Sequence, residues 1–126
     1  MEILVVSDTH GRASRLSEIL ERTNADTLLF LGDGLRDLSV VPASVAVYAV
    51  RGNCDFMGFD TPDARLEIFD TCRVFMTHGH RYGVKSSLSA AIRAAAARTP
   101  SLTALCRSAL SRYCGSTEKT RERKVR

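Results

Sequence analysis

Three short apolar runs in the first half of the chain each break off into a cluster of polar residues able to bind a metal ion. Residues 3–6 run into Ser7-Asp8-Thr9-His10-Gly11, residues 27–31 into Gly32-Asp33-Gly34, and residues 45–50 into Arg51-Gly52-Asn53-Cys54-Asp55. Runs of β-branched residues and Leu, closed by Gly, Asp and Asn, read as buried strands that feed loops. Between the first two runs, Ala13, Leu16, Ile19 and Leu20 recur at helical spacing among Arg15, Glu18 and Arg22, which predicts an amphipathic helix. Strands alternating with such crossovers specify an α/β fold with a parallel core.

Further on, residues 65–69 and 73–77 form two more β-rich runs, parted by Asp70-Thr71-Cys72 at hairpin spacing. The second ends in His78-Gly79-His80. Val84, Leu88, Ala91, Ile92 and Ala95 then mark a helical stripe, with a Ser or Gly expected as its cap. Beyond Thr99 the character changes. Pro100 opens a segment in which Leu102, Leu105, Cys106, Ala109, Leu110 and Tyr113 share one helix face, predicting a helix over 100–114 and a disordered end over 116–126.

A length of 126 residues suits one domain, divided here into a body over 1–97 and an atypical basic tail over 98–126. The net charge of +4 comes entirely from the tail, where eight Lys and Arg face two Asp and Glu, while the body holds ten against twelve. A nucleic-acid partner is therefore not expected, unless the tail acts as an arm through Lys119, Arg121, Arg123, Lys124 and Arg126. The apolar runs fall far short of the roughly 20 residues of a membrane span. Cys54, Cys72, Cys106 and Cys114 lack CxxC pairing, so reduced thiols and a cytoplasmic location are expected.

Each polar cluster stands at the C-terminal end of an expected strand, the edge at which α/β sheets bind ligands because loops from parallel strands converge there. Asp8, His10, Asp33, Asn53 and His78 thereby become one candidate metal site. Carboxylate, imidazole and carboxamide form a mixed oxygen and nitrogen set suited to divalent ions, and the lack of a thiolate cluster argues against structural zinc. A catalytic metal pair is the sharper reading of such a set: a carboxylate such as Asp33 can span two metals. Asn53 can ligate through its carbonyl oxygen and keep its NH2 free as a donor.

In order along the chain, Asp8-x-His10, Gly32-Asp33, Gly52-Asn53-Cys54-Asp55 and His78-Gly79-His80 resemble the motifs of the calcineurin-like metallophosphoesterase superfamily, and within it the YfcE-like phosphodiesterase subfamily. The resemblance implies an αββα sandwich and a metal-dependent phosphoesterase acting on a small phosphorylated substrate, a phosphodiester by class. It implies two divalent metal ions, Mn first, with Fe, Zn, Ni, Co or Mg as alternatives. Asp8 and His10 would hold one ion, Asp33 would bridge, and Asn53 and His78 would hold the other. Asn53, Cys54, Asp55 and His80 are the catalytic candidates: Cys54 stands where many relatives carry His, Asp55 is expected to orient His10, and His80 lies near the site.

The resemblance breaks at one point. Relatives carry a closing Gly-x-His-x-His or Gly-His-Thr-His loop, and this sequence has no histidine after His80. The break is read as truncation or a shifted reading frame, with weaker metal binding, impaired activity and association of copies through an exposed sheet edge as consequences. The alternative function is a non-catalytic protein-interaction module on the same fold, as in the retromer scaffold subunit.

Overall fold

A computed structural model describes residues 1–98, together with the backbone of 104–107 and 123–125. Its first sheet is built from β1 (Ile3–Val6), β2 (Thr27–Phe30) and β3 (Ala46–Ala49), with helix α1 (Ala13–Arg22) crossing from β1 to β2. These three strands are parallel, in register Ile3 to Thr27 and Thr27 to Ala46. Parallel strands are covered on both faces, and alternation along β1 and β2 shows how. Leu4, Val6, Leu28 and Phe30 pack with Leu16 and Ile19 of α1. Val5, Leu29 and Leu31 point the other way, into a core shared with Phe69, Val74 and Met76 of the second sheet.

That second sheet contains the expected hairpin, β4 (Ala64–Phe69) and β5 (Cys72–Thr77), paired antiparallel from Ala64–Thr77 to Phe69–Cys72. Asp70 takes a left-handed φ of 52° in the connecting turn, a conformation Asp tolerates better than most residues. Phe75, opposite in alternation to Val74 and Met76, is fully buried and meets Tyr82 edge to face, with the Arg98 guanidinium 5.4 Å from its ring centre. Arg98 ends helix α2 (Ser89–Arg98), which buries Ala91 and Ala95. The layers thus run helix, sheet, sheet, helix, the αββα order.

Three expectations are corrected. The stripe from Val84 to Ala95 becomes helix only from Ser89, because the left-handed Gly83 and the N–H groups of Ser86 and Ser87, donating to its carbonyl, form a turn first. Leu88 holds the position just before the helix, and the Ser87 hydroxyl beside it accepts the Ser89 N–H at 3.1 Å. Within the helix expected over 100–114 lies a strand, β6 (Ala104–Arg107), parallel to β5 from Val74–Ala104 to Thr77–Arg107. Within the end expected to be disordered lies β7 (Arg123–Val125), antiparallel to β1. The open edges of β5 and β1 offer rows of backbone partners, and that pairing overrides local helical periodicity. The rest of both expected segments lies outside the described residues.

Candidate metal centre

The three parallel strands deliver their exits side by side, and the backbone laces them together. The Asp8 N–H donates to the Gly32 carbonyl at 2.9 Å and the His10 N–H to the Asp33 carbonyl at 3.0 Å. Asp8, His10 and Asp33 all take left-handed φ, at 62°, 47° and 61°. Three non-glycine residues in that region within one site is local strain, of a kind that collects where function holds it. Gly52 is required by close approach: a Cβ there would stand 2.0 Å from Asp33 Oδ1.

The five ligand candidates converge. His10 Nε2 lies 3.6 Å from Asp8 Oδ1 and 3.8 Å from Asp33 Oδ2, while His78 Nε2 lies 3.4 Å from the same Asp33 oxygen and 3.1 Å from Asn53 Oδ1. Ligand atoms of Asp8, Asp33 and His78, and separately of His10, Asp33 and Cys54, fall within 4.8 Å of one another. Asp33 belongs to both groups. Its Oδ2 faces the two histidines, while Oδ1 accepts the Cys54 N–H at 2.8 Å.

These residues fit a cation by their donor chemistry. His78 Nδ1 lies 2.8 Å from the Leu31 carbonyl, which can only accept, so the ring proton sits on Nδ1. On its other side Nε2 faces Asn53 Oδ1 and Asp33 Oδ2, also acceptors, so it donates to them when protonated and offers a lone pair to a cation when the ring is neutral. The Asn53 NH2 is turned away, donating to Cys54 Sγ at 3.2 Å. Acceptors this close repel unless a proton or a metal ion stands between them.

The charge states follow the same geometry. Burial pushes the Asp8 carboxyl above its ordinary value, outweighing the hydrogen bond from Ser7 and the attraction of His78. Burial works to raise Asp33 as well, but hydrogen bonds from His78 and from the Cys54 N–H hold it down to about 2. For His78, burial opposes charge, yet Asp33 and then Asp8 outweigh it, so its pKa stands above the usual histidine value. Burial, followed by the charge on His78, depresses His80.

Asp55 has a different task from the expected one. Its carboxylate accepts four backbone N–H groups, from Asp33 at 2.7 Å, Gly34 and Gly52 at 2.8 Å, and Leu35 at 2.9 Å. Four donors fill the acceptor capacity of a carboxylate, so Asp55 staples the β2 and β3 exit loops rather than turning His10. Asp37 does the same for the β1 exit and escaped the sequence reading. It is buried in a 3-10 turn, Leu35–Val40, and accepts from the Thr9 hydroxyl and the Gly11 N–H. Its only signal was an acidic residue shortly after Gly34.

His80 opens a second 3-10 turn, His80–Tyr82, with its ring centre 5.5 Å from that of His78. Among the described residues its buried Nδ1 has no hydrogen-bond partner. Cys54 is exposed beside His10, and neither it nor Cys72 forms a disulfide among the described residues. A cavity of about 590 Å³ opens against His10, Asp33 and Cys54.

Residues 1–105 match the sequence pattern of the calcineurin-like phosphoesterase superfamily domain. The chain belongs to that superfamily. A Bacillus subtilis (strain 168) relative described as a probable metallophosphoesterase, YsnB, is 36% identical over 89 residues, which are 70% of this chain and 52% of that protein. Among solved structures, a Streptococcus pneumoniae TIGR4 protein described as a predicted phosphoesterase aligns with a TM-score of 0.68 at 22% identity, covering 86% of this chain and 62% of its own. YfcE, a phosphoesterase from E. coli, aligns at 0.54 and 26% identity, covering 64% and 59%. This superfamily member therefore spans about half the length of its curated relative and about three fifths of these structures. The family is one of phosphoester hydrolases that use divalent metal ions, and among the described residues no helix is long and apolar enough to cross a membrane.

Proposed function

We propose that the chain carries the metal centre of a phosphodiesterase with two divalent ions, manganese first among them. The observation that supports it most is the position of Asp33, common to two ligand groups, with one oxygen facing both His10 and His78. Asp8 and His10 would hold one ion, Asn53 and His78 the other, and Asp33 would serve both. When bound, the ions supply Lewis acidity: they bring water toward ionisation at neutral pH and offset charge on the phosphoryl group.

The protein's own groups do the positioning. The Leu31 carbonyl fixes the His78 tautomer, so that Nε2 is the ligating nitrogen. Asp33 Oδ1, anchored by the Cys54 N–H, keeps Oδ2 aimed inward. The Asn53 NH2 donates to the sulfur of Cys54, which lines the cavity, and a substrate oxygen there can accept that hydrogen bond in place of sulfur. Within residues 1–126 the proposed donor set is Asp8, His10, Asp33, Asn53 and His78.

The test is hydrolysis of bis-p-nitrophenyl phosphate with added Mn2+, set against the Asp33→Asn variant, with bound metal measured in both. Expected are metal-dependent turnover and a loss of at least about tenfold in the variant. Equal turnover in both proteins, or a chain that binds no divalent ion, overturns the proposal. Metal binding without turnover favours the interaction module.

A further inference from the structure

The cavity beside the ligand residues has an apolar end that the metal chemistry does not explain. Leu35, Phe56 and Met57 line it together with His10, Asp33 and Cys54. Phe56 and Met57 are 78% and 76% exposed and, with neighbouring Phe59, are the most exposed large apolar side chains among the described residues. Their loop is built rather than frayed. It leaves directly from Asp55, which four N–H groups hold, and turns through hydrogen bonds from the Gly58 N–H to the Asp55 carbonyl and from the Thr61 N–H to the Gly58 carbonyl. Leu35 sits under the turn, its Cδ1 2.4 Å from where a Cβ on Gly58 would stand. The staple that sets Asp33 thus also sets Phe56.

Arg36 lines the same cavity and forms no ion pair among the described residues. A phosphate end, an aromatic and thioether wall and a guanidinium therefore share one space, of the size that takes a nucleotide-sized ligand. A phenyl face and a methionine sulfur both favour planar aromatic partners over aliphatic ones, and a guanidinium stacks on the same surfaces.

We infer that Phe56 and Met57 form the subsite for a planar aromatic ester group, aryl or nucleobase, on a phosphoester whose phosphate lies against His10 and Asp33. The assignment rests on the phosphoesterase proposal for the phosphate end. Binding of three non-hydrolysable ligands, methylphosphonate, phenylphosphonate and a nucleoside phosphonate, to the Mn2+-supplemented chain tests it by calorimetry. Phenylphosphonate should bind about tenfold tighter than methylphosphonate, and the difference should vanish in Phe56→Ala/Met57→Ala and persist in Phe56→Tyr. Thermal melts of the double variant should match the parent, since both side chains are exposed. A nucleoside phosphonate tighter than phenylphosphonate assigns the subsite to a nucleobase, and the reverse order assigns it to an aryl group. No aromatic preference, a preference that survives the double substitution, or no binding of any of the three overturns the inference. Bis-p-nitrophenyl phosphate hydrolysis run alongside separates the two proposals. Turnover without aromatic preference removes only the subsite, and aromatic preference without turnover removes only the enzyme.

Discussion

Replacing Asp55 with Asn distinguishes a staple from a catalytic group. In the parent, Oδ1 accepts the N–H groups of Gly34 and Leu35 and Oδ2 those of Asp33 and Gly52, all between 2.7 and 2.9 Å. An Asn side chain keeps one oxygen and turns an NH2 toward the other two donors. Two charge-assisted bonds are lost, and two N–H groups face a donor. At about 1 kcal/mol net per bond, somewhat more for a charged acceptor, and with part of the loss recovered by water at this half-buried site, Asp55→Asn should cost about 2 to 3 kcal/mol. Asp55→Ala, losing all four bonds, should cost about 4 kcal/mol. For a domain of this size the Asn variant should melt roughly 10 °C lower. Urea unfolding of both variants, followed by circular dichroism, gives the numbers. An Asn variant within about 0.5 kcal/mol of the parent would refute the staple, and if it also lost turnover, Asp55 would belong to the chemistry.

Two further outcomes follow from the same geometry. Gly52→Ala places a Cβ on Asp33 Oδ1, so it should weaken Mn2+ binding, read by calorimetry, and destabilise the fold by about 1 to 3 kcal/mol through overpacking. In metal-free protein, Asp33, depressed to about 2, contributes stability that is present above its unfolded value of 3.8 and lost as pH falls toward 2. Asp8 and His78 are raised, so their contributions are complete below their unfolded values, 3.8 and 6.5, and are lost as pH rises through the folded ones. Stability in EDTA should therefore decline above pH 6.5, and the gain in melting temperature on adding Mn2+ should grow there. A gain that does not change between pH 6 and 8 counts against a metal in this position.

What the sequence made legible was whatever strand periodicity controls. Residues 3–6 and 27–31 alternate between two cores, and that alternation already places Asp8, His10 and Asp33 at one sheet edge. The hairpin from Ala64 to Thr77 carried its turn in Asp70-Thr71, and its end brought His78 to the same edge. The roles of Asp55 and Asp37 were not legible, because their partners are backbone N–H groups whose direction depends on loop curvature, which no side-chain pattern records. The strand at 104–107 escaped for another reason: the edge of β5 selects it, and Ala-Leu-Cys-Arg alone fits a helix as well.

The left-handed backbone at Asp8, His10 and Asp33 also makes the chain's future readable. Each of these positions would relax on becoming glycine, and Asn would sit there at little cost. Drift freed from metal binding should therefore erode the site by a preferred route, His10 and Asp33 giving way to Gly or Asn before the surrounding strands change at all.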